Sequence, residues 1–240
     1  MLVLAAGKST RIASVAAGLP KPLLEVGGRT VLGGNLTWLA HHGIETVWIN
    51  VHYRPDTIRA ALGDGSDFGL RVRYSHEESI LGTAGGWKRV APEWGGTWLV
   101  VYGDNLMRFD IAALLHTHRE RGAQATIALF DPGRHVNTRI AGGRVQVAPD
   151  GHVAAFVEGD ASRHADARFV NAGAYMLEAG VQDLIGPGLQ DFGKDVFPQI
   201  VPRGCVAGHL MEPAGFCLGL DTPESLELAR ELVRTHQVTL

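Results

Sequence analysis

Residues 2–12 read LVLAAGKSTRI, and this stretch decides the fold. About five apolar residues form a buried-strand pattern over residues 2–6, Leu4, Ala5 and Ala6 among them; Gly7 stops it, and Lys8, Ser9, Thr10 and Arg11 follow at once. Glycine and alanine let a backbone approach a ligand closely, and successive N–H groups in such a turn converge on an anion. Lys8 and Arg11 would add fixed positive charge, with Arg11 able to grip two oxygens together. The stretch matches neither G-x-G-x-x-G nor G-x-x-x-x-G-K-[ST], so an anion cradle and an ordinary strand-to-helix turn with exposed charges both stand at this point.

Downstream of this loop, short apolar runs alternate with longer amphipathic stretches. The pattern predicts a helix over residues 30–42 closed by Gly43, a strand over 46–51, a helix over 54–62 and a strand over 70–75. A helix start over 85–91 and a buried strand over 97–102, ending at Gly103 and Asp104, complete the first half. Such alternation predicts βαβ units: an α/β fold with a doubly wound, mostly parallel, Rossmann-like sheet. Ligands of these sheets sit outside the carboxyl ends of the strands, which makes the loop after Ala6 and the Gly103-Asp104 pair neighbours.

Beyond residue 110 the pattern changes. A helix over 111–121 and a strand over 124–130 precede turn-rich strands at 139–147, with Gly142-Gly143 as a hairpin signal, and at 152–158. These predict an antiparallel extension. A strand over 169–177, helical residues over 196–201, and a terminal helix over 223–235 with Thr222 as its N-cap follow. Neither repeat nor linker interrupts the chain, so the expectation is one domain over 1–240, with a first half at 1–110 and an elaborated second half at 111–240.

Composition limits the function. The 240 residues are 45% hydrophobic and 20% charged, and a net charge of -3 offers no basic footprint for nucleic acid. No run approaches the roughly 18 apolar residues of a membrane span, and the N-terminal run is too short for a signal segment. Cys205 and Cys217 lack metal-ligand spacing and read as reduced thiols, which fits a cytoplasmic protein.

Further motifs narrow the anion. Pro20-Lys21-Pro22 fixes the backbone around a lysine, a good partner for a phosphate whose position must not vary, although a surface turn has the same look. Asp104, after a buried strand and a glycine, suits Mg2+ shared with phosphate oxygens; a helix N-cap is the plain alternative. The eleven histidines are scattered, and no Ser-His-Asp constellation is evident.

The order LAAGKSTR, LPKPLLEVGGRTVL, ILGTAGG and VYGDN, followed by FVE at 156–158, VNAG at 170–173, KDVFP at 194–198 and LDTPES at 220–225, resembles the sugar-1-phosphate nucleotidyltransferases. The likeness runs over nearly the whole chain. It implies that the loop containing Leu4, Ala5, Ala6, Gly7, Lys8, Ser9 and Thr10 wraps a nucleoside triphosphate. Arg11 and Lys21 then stand at the reacting phosphates, and Asp104 binds Mg2+. The resemblance further implies a second metal ligand in the GLDTP stretch. The family position for it is Gly219, and Asp221 stands two residues later, on the same side of an extended segment. Gly82 and Thr83 match a loop that packs on the base, and Glu77 lies in the segment that reads the base edge, where a carboxylate suits guanine.

For the sugar, the resemblance points to Asn105, Glu158, Asn171 and Lys194. Gly159 replaces a family lysine, which leaves either Lys21 alone or a substitute such as Lys194 or Arg168. The implied partners are an NTP and a sugar 1-phosphate, with GTP and a mannose or manno-heptose 1-phosphate favoured, and neither nucleic acid nor membrane. Homo-oligomeric assembly is left open. Uridylyl and thymidylyl transfer, cytidylyl transfer to a phosphorylated alcohol, molybdopterin guanylyl transfer, and a silent nucleotide-sugar sensor remain as alternatives.

Overall fold

The computed structural model describes residues 1–8, 10–140, 142–159 and 166–240; Thr10 and Ala13 are described by backbone alone. Nine strands share one mixed sheet: β1 (Leu2–Leu4), β2 (Thr46–Val51), β3 (Arg71–His76), β4 (Trp98–Tyr102), β5 (Ala125–Phe130), β6 (Arg144–Val147), β7 (Val153–Val157), β8 (Phe169–Leu177) and β9 (Val206–Leu210). The first four lie in the order β3-β2-β1-β4 and pair in parallel, with Leu2 opposite both Trp48 and Val100. Chain order therefore reverses between β1 and β4, and a crevice opens there at the strands' carboxyl ends. The apolar runs LVL and WLVV are buried because helices cover both faces of this parallel part.

β8 joins the two halves. It runs antiparallel to β4 on one side and to β5 on the other, while the antiparallel pair β6–β7 extends the sheet from its first residues. The expected antiparallel extension is thus present, but its hairpin differs. The turn between β6 and β7 falls at Asp150-Gly151, and residues 142–143 carry no hairpin. A Cβ on Gly143 would stand 2.6 Å from the Glu158 carboxylate and from the Phe156 ring. That glycine serves close approach rather than a turn.

Helix ends follow the sequence signals. Thr30 accepts from Gly33 N ahead of α1 (Val31–His41), and Asp110 caps α4 (Ile111–Glu120), with α2 (Pro55–Leu62) and α3 (Gly82–Val90) between them. Thr222 and Ser225 form a reciprocal capping box at α5 (Pro223–Arg234). Residues 196–201 do not form one helix: a π-helical turn over Phe192–Val196 precedes a short α-turn over Phe197–Ile200.

A small second sheet sets up the site. Strand Asn105–Arg108 pairs antiparallel with Phe216–Gly219, Asn105 lying opposite Gly219. The residue before Asn105 and those after Gly219 are thereby brought together. They are Asp104 and Asp221.

Candidate functional site

A cleft of about 330 Å³ opens at the switch point. Its floor is the turn after β1, held rigid from below: Ala5 N donates to Asn50 Oδ1 at 2.7 Å, and Asn50 Nδ2 donates to Glu77 Oε1 at 2.8 Å. Both residues are buried, Asn50 at 2% exposure and Glu77 at 1%. The other Glu77 oxygen accepts from Leu81 N at 3.0 Å. Both carboxylate oxygens are therefore engaged within the protein, one by Asn50 and one by the backbone of Leu81.

At the opposite wall, Lys21 enters from a 3-10 turn that Pro20 and Pro22 fix. Its Nζ donates to Asp104 Oδ2 at 2.8 Å and Asp221 Oδ1 at 2.7 Å, and Arg11 reaches the same Asp221 oxygen at 3.0 Å. Burial opposes the Lys21 charge, yet Asp104 and then Asp221 outweigh it and hold its pKa above the ordinary value. The ammonium is thus charged throughout the neutral range. Arg11, 70% exposed at its side chain, is the solvent-exposed partner of this group.

The donor set fits a hard divalent cation. Asp104 Oδ2 and Asp221 Oδ1 both converge on the Lys21 ammonium, and a Mg2+ ion, commonly held by one or two carboxylates with substrate phosphate and water supplying the rest, would share these carboxylates with it. Among the described residues no cluster of three or more metal-ligating side chains exists, so phosphate would have to complete the shell. Gly219 leaves no room for a side chain: a Cβ there would lie 2.7 Å from Ile140 Cγ1. Asp221, the residue before the Thr222 cap, reaches Lys21 and Arg11 instead.

Leu4, Ala5, Ala6, Gly7, Lys8, Arg11, Lys21, Glu77, Gly82, Thr83, Asp104 and Asp221 all line the cleft. Ser9 and the side chain of Thr10 lie outside the described residues. The four expected sugar residues are not in this wall. Asn105 is 7% exposed and turns its amide to Ala172 O at 3.4 Å, bracing β8 against the small sheet. Asn171 is tied at both ends, its Oδ1 accepting from Gly173 N and its Nδ2 donating to Tyr175 OH. Glu158 stands on the rim; partial burial raises its pKa, Lys194 lowers it, and Asp191 raises it again. Lys194 is therefore the cation facing Glu158, whereas Arg168 is engaged by Asp131 at 2.9 Å. Gly159 has φ +87, a conformation costly for lysine or any other L side chain.

Two residues of the wall lie outside every motif quoted from the sequence: Asn50 and Asp191. A polar residue inside the apolar run TVWINV is the one local signal, at Asn50. Asp191 Oδ1 accepts from Thr83 N at 3.0 Å and Thr83 Oγ1 at 3.2 Å. Burial pushes the Tyr102 phenol up to about 12, so it remains an O–H donor.

A 3-2-1-4 sheet with a cation, two carboxylates and a bare backbone turn at its switch point defines a nucleotide-binding α/β protein. The chain belongs to the Nucleotidyl transferase family, whose model matches residues 1–216. It is 34% identical over 225 residues to mannose-1-phosphate guanylyltransferase of Mycobacterium tuberculosis, covering 93% of this chain and 61% of the relative. It is 32% identical over 216 residues to UTP–glucose-1-phosphate uridylyltransferase of Synechocystis, covering 85% and 55%. The chain thus spans little more than half the length of these curated relatives. Its fold matches HddC from Yersinia pseudotuberculosis with a TM-score of 0.79 at 22% identity, over 96% of this chain and 97% of that one.

Proposed function

We propose that the protein is an Mg2+-dependent sugar-1-phosphate nucleotidyltransferase that uses GTP and a mannose or manno-heptose 1-phosphate, releasing pyrophosphate. The observation that carries this reading is the convergence of Lys21, Asp104 and Asp221 beside the glycine turn. On this reading residues 1–110 bind the nucleotide and 111–240 the sugar, within one domain. An oxygen of the sugar phosphate attacks the α-phosphorus in line; the bond from that phosphorus to the bridging β-oxygen breaks, and pyrophosphate leaves with the electron pair. Because the attacking phosphate is already ionised, no proton transfer is needed, and catalysis consists of positioning and charge neutralisation.

Each residue takes a part fitted to its place. The N–H groups of the Ala5–Gly7 turn and Lys8 hold the triphosphate, Arg11 swings from Asp221 to the departing pyrophosphate, and Lys21 neutralises the reacting phosphates. Asp104 and Asp221 would hold Mg2+, which would supply positive charge to offset the negative charge of the phosphates. Glu158 and Lys194 receive the sugar phosphate, Lys194 in place of the lysine absent at 159. Asn105 and Asn171 act from behind the wall.

Guanine is supported by the likeness to the mycobacterial enzyme. A uridylyl reading stands second, because Glu77 spends its oxygens on Asn50 and Leu81 and because the Synechocystis relative uses UTP. Pyrophosphate release from GTP, UTP, dTTP, CTP and ATP against mannose, manno-heptose and glucose 1-phosphates separates them. GTP with a manno-configured sugar is the expected pair. Turnover with UTP alone supports the second reading, and no turnover with any pair contradicts both.

A further inference from the structure

Beneath the cleft hydrogen bonds link residues distant in sequence. Asn171 Nδ2 donates to Tyr175 OH at 2.7 Å, Tyr175 OH donates to Tyr102 OH at 3.3 Å, and Tyr102 shares the cleft wall with Thr83. The Thr83 hydroxyl reaches Asp191 Oδ1. Both ends of this set are fixed. At one end Gly173 N holds the Asn171 oxygen, so that only the amide N–H can face Tyr175; at the other Asp191 Oδ1 accepts from Thr83 N as well as from its hydroxyl. Tyr175 OH therefore accepts from Asn171 and donates to Tyr102, and Thr83 Oγ1 donates to Asp191. Hydrogen bonds of this kind polarise one another and stiffen as a unit.

The same carboxylate sits in a seam between two segments. Leu81 O accepts from Gln190 N at 2.8 Å, Gln190 O accepts from Ala84 N and Gly85 N, and Phe192 N donates to Thr83 Oγ1 at 2.9 Å. Gly82, at φ +77, lies so close that a Cβ would stand 2.4 Å from Gln190 O. Immediately after the seam comes the π-helical turn Phe192–Val196, which carries Lys194 toward Glu158. π-turns are rare and concentrate at functional sites. The loop against the nucleotide and the segment against the sugar phosphate are thus one stitched body, and Asp191 is where the stitches meet.

We propose that Asp191 is a positioning residue that couples the two substrate subsites, so that filling the nucleotide subsite orders the Lys194 turn for the sugar phosphate. This rests on the function proposed above. Ordering one segment lowers the cost of the second binding event, which makes the coupling reciprocal. Asp191 touches neither reacting atom. It acts through Thr83 and the 192–196 turn.

The test is calorimetric binding of mannose 1-phosphate with and without the α,β-methylene analogue of GTP and Mg2+, using wild type, Asp191→Ala, Asp191→Asn and Thr83→Val. In wild type the analogue tightens sugar-phosphate binding roughly tenfold, within the range usual for coupled sites. Asp191→Ala brings this below about twofold while the analogue's own Kd moves less than about threefold. Asp191→Asn keeps an acceptor for Thr83 and retains most of the coupling. Thr83→Val reproduces the loss by cutting the Asp191 contact from the other side, which decides the matter should Asp191→Ala fold poorly. Undiminished coupling in both Asp191→Ala and Thr83→Val overturns the proposal. So does independent binding of the two ligands in wild type. Failure of wild type to bind either ligand alone instead overturns the functional reading, and this inference with it.

Discussion

Lys21→Met separates the catalytic from the structural part of the site. The ammonium is nearly enclosed, 7% exposed, while its partners Asp104 and Asp221 keep 36% and 29% of their side-chain surface in water. Methionine preserves most of the stem's packing and removes the charge. Two carboxylates are then left facing each other, but both are hydrated, so the cost lies nearer ~1 kcal/mol than the 3–5 kcal/mol of a broken buried pair. For a chain of this size that is a fall of about 2–4 °C in Tm. The effect on turnover is much larger: loss of one preorganised charge at developing phosphate charge costs about 10²–10³ in kcat. Steady-state pyrophosphate release and thermal unfolding, measured on one preparation, read both numbers. Lys21→Met with kcat within about threefold of wild type refutes the reasoning. The stability difference should also be the same at pH 6 and pH 8. A lysine whose folded pKa is raised contributes fully below the ordinary 10.5, and its contribution is lost only as pH climbs through the higher folded value.

Gly82→Ala combines a strained φ with a collision against Gln190 O and should destabilise by about 2–4 kcal/mol, visible as a reduced urea midpoint; a near-neutral result contradicts the seam described here. Glu158 has a raised pKa, so its ionisation opposes folding above the ordinary carboxylate value. Glu158→Gln should accordingly raise Tm at pH 7 but not at pH 4, while increasing KM for the sugar phosphate. Arg11→Gln should lower kcat by at least about tenfold with Tm within about 1 °C, because its pair with Asp221 is exposed. Chelation of divalent cations should abolish turnover and leave Tm of the ligand-free protein unchanged; a large fall in Tm would mean a structural metal instead.

The first half was legible because its signals are local. Apolar runs such as residues 46–51 and 98–102 read as strands, the second is stopped by Gly103, and its end lies where the site forms. Residues 169–177 were read to their full length for the same reason. The Gly142-Gly143 signal misled because glycine also marks close approach, here of Glu158 and Phe156 to the backbone. Lys21, Asp104 and Asp221 were readable as types at suggestive places, but their meeting depends on the register of Asn105 against Gly219, which no local pattern encodes. The roles of Asp191 and Tyr102 were invisible for a stronger version of that reason. Their roles arise from partners at Thr83 and Tyr175, far away in the chain. Glu77 had the right chemistry for a base edge, and only the buried Asn50 beneath it shows where its oxygens go.

The central claim is that Lys21, Asp104 and Asp221 form one nucleotidyl-transfer centre, and product analysis of Asp104→Ala tests it most directly. Wild type incubated with GTP, mannose 1-phosphate and Mg2+ should give GDP-mannose and pyrophosphate in equal amounts by phosphorus NMR. Asp104→Ala, whose side chain is partly in water, should keep its fold and lose at least about a hundredfold in rate. A folded Asp104→Ala protein that forms the nucleotide sugar at the wild-type rate would contradict the account.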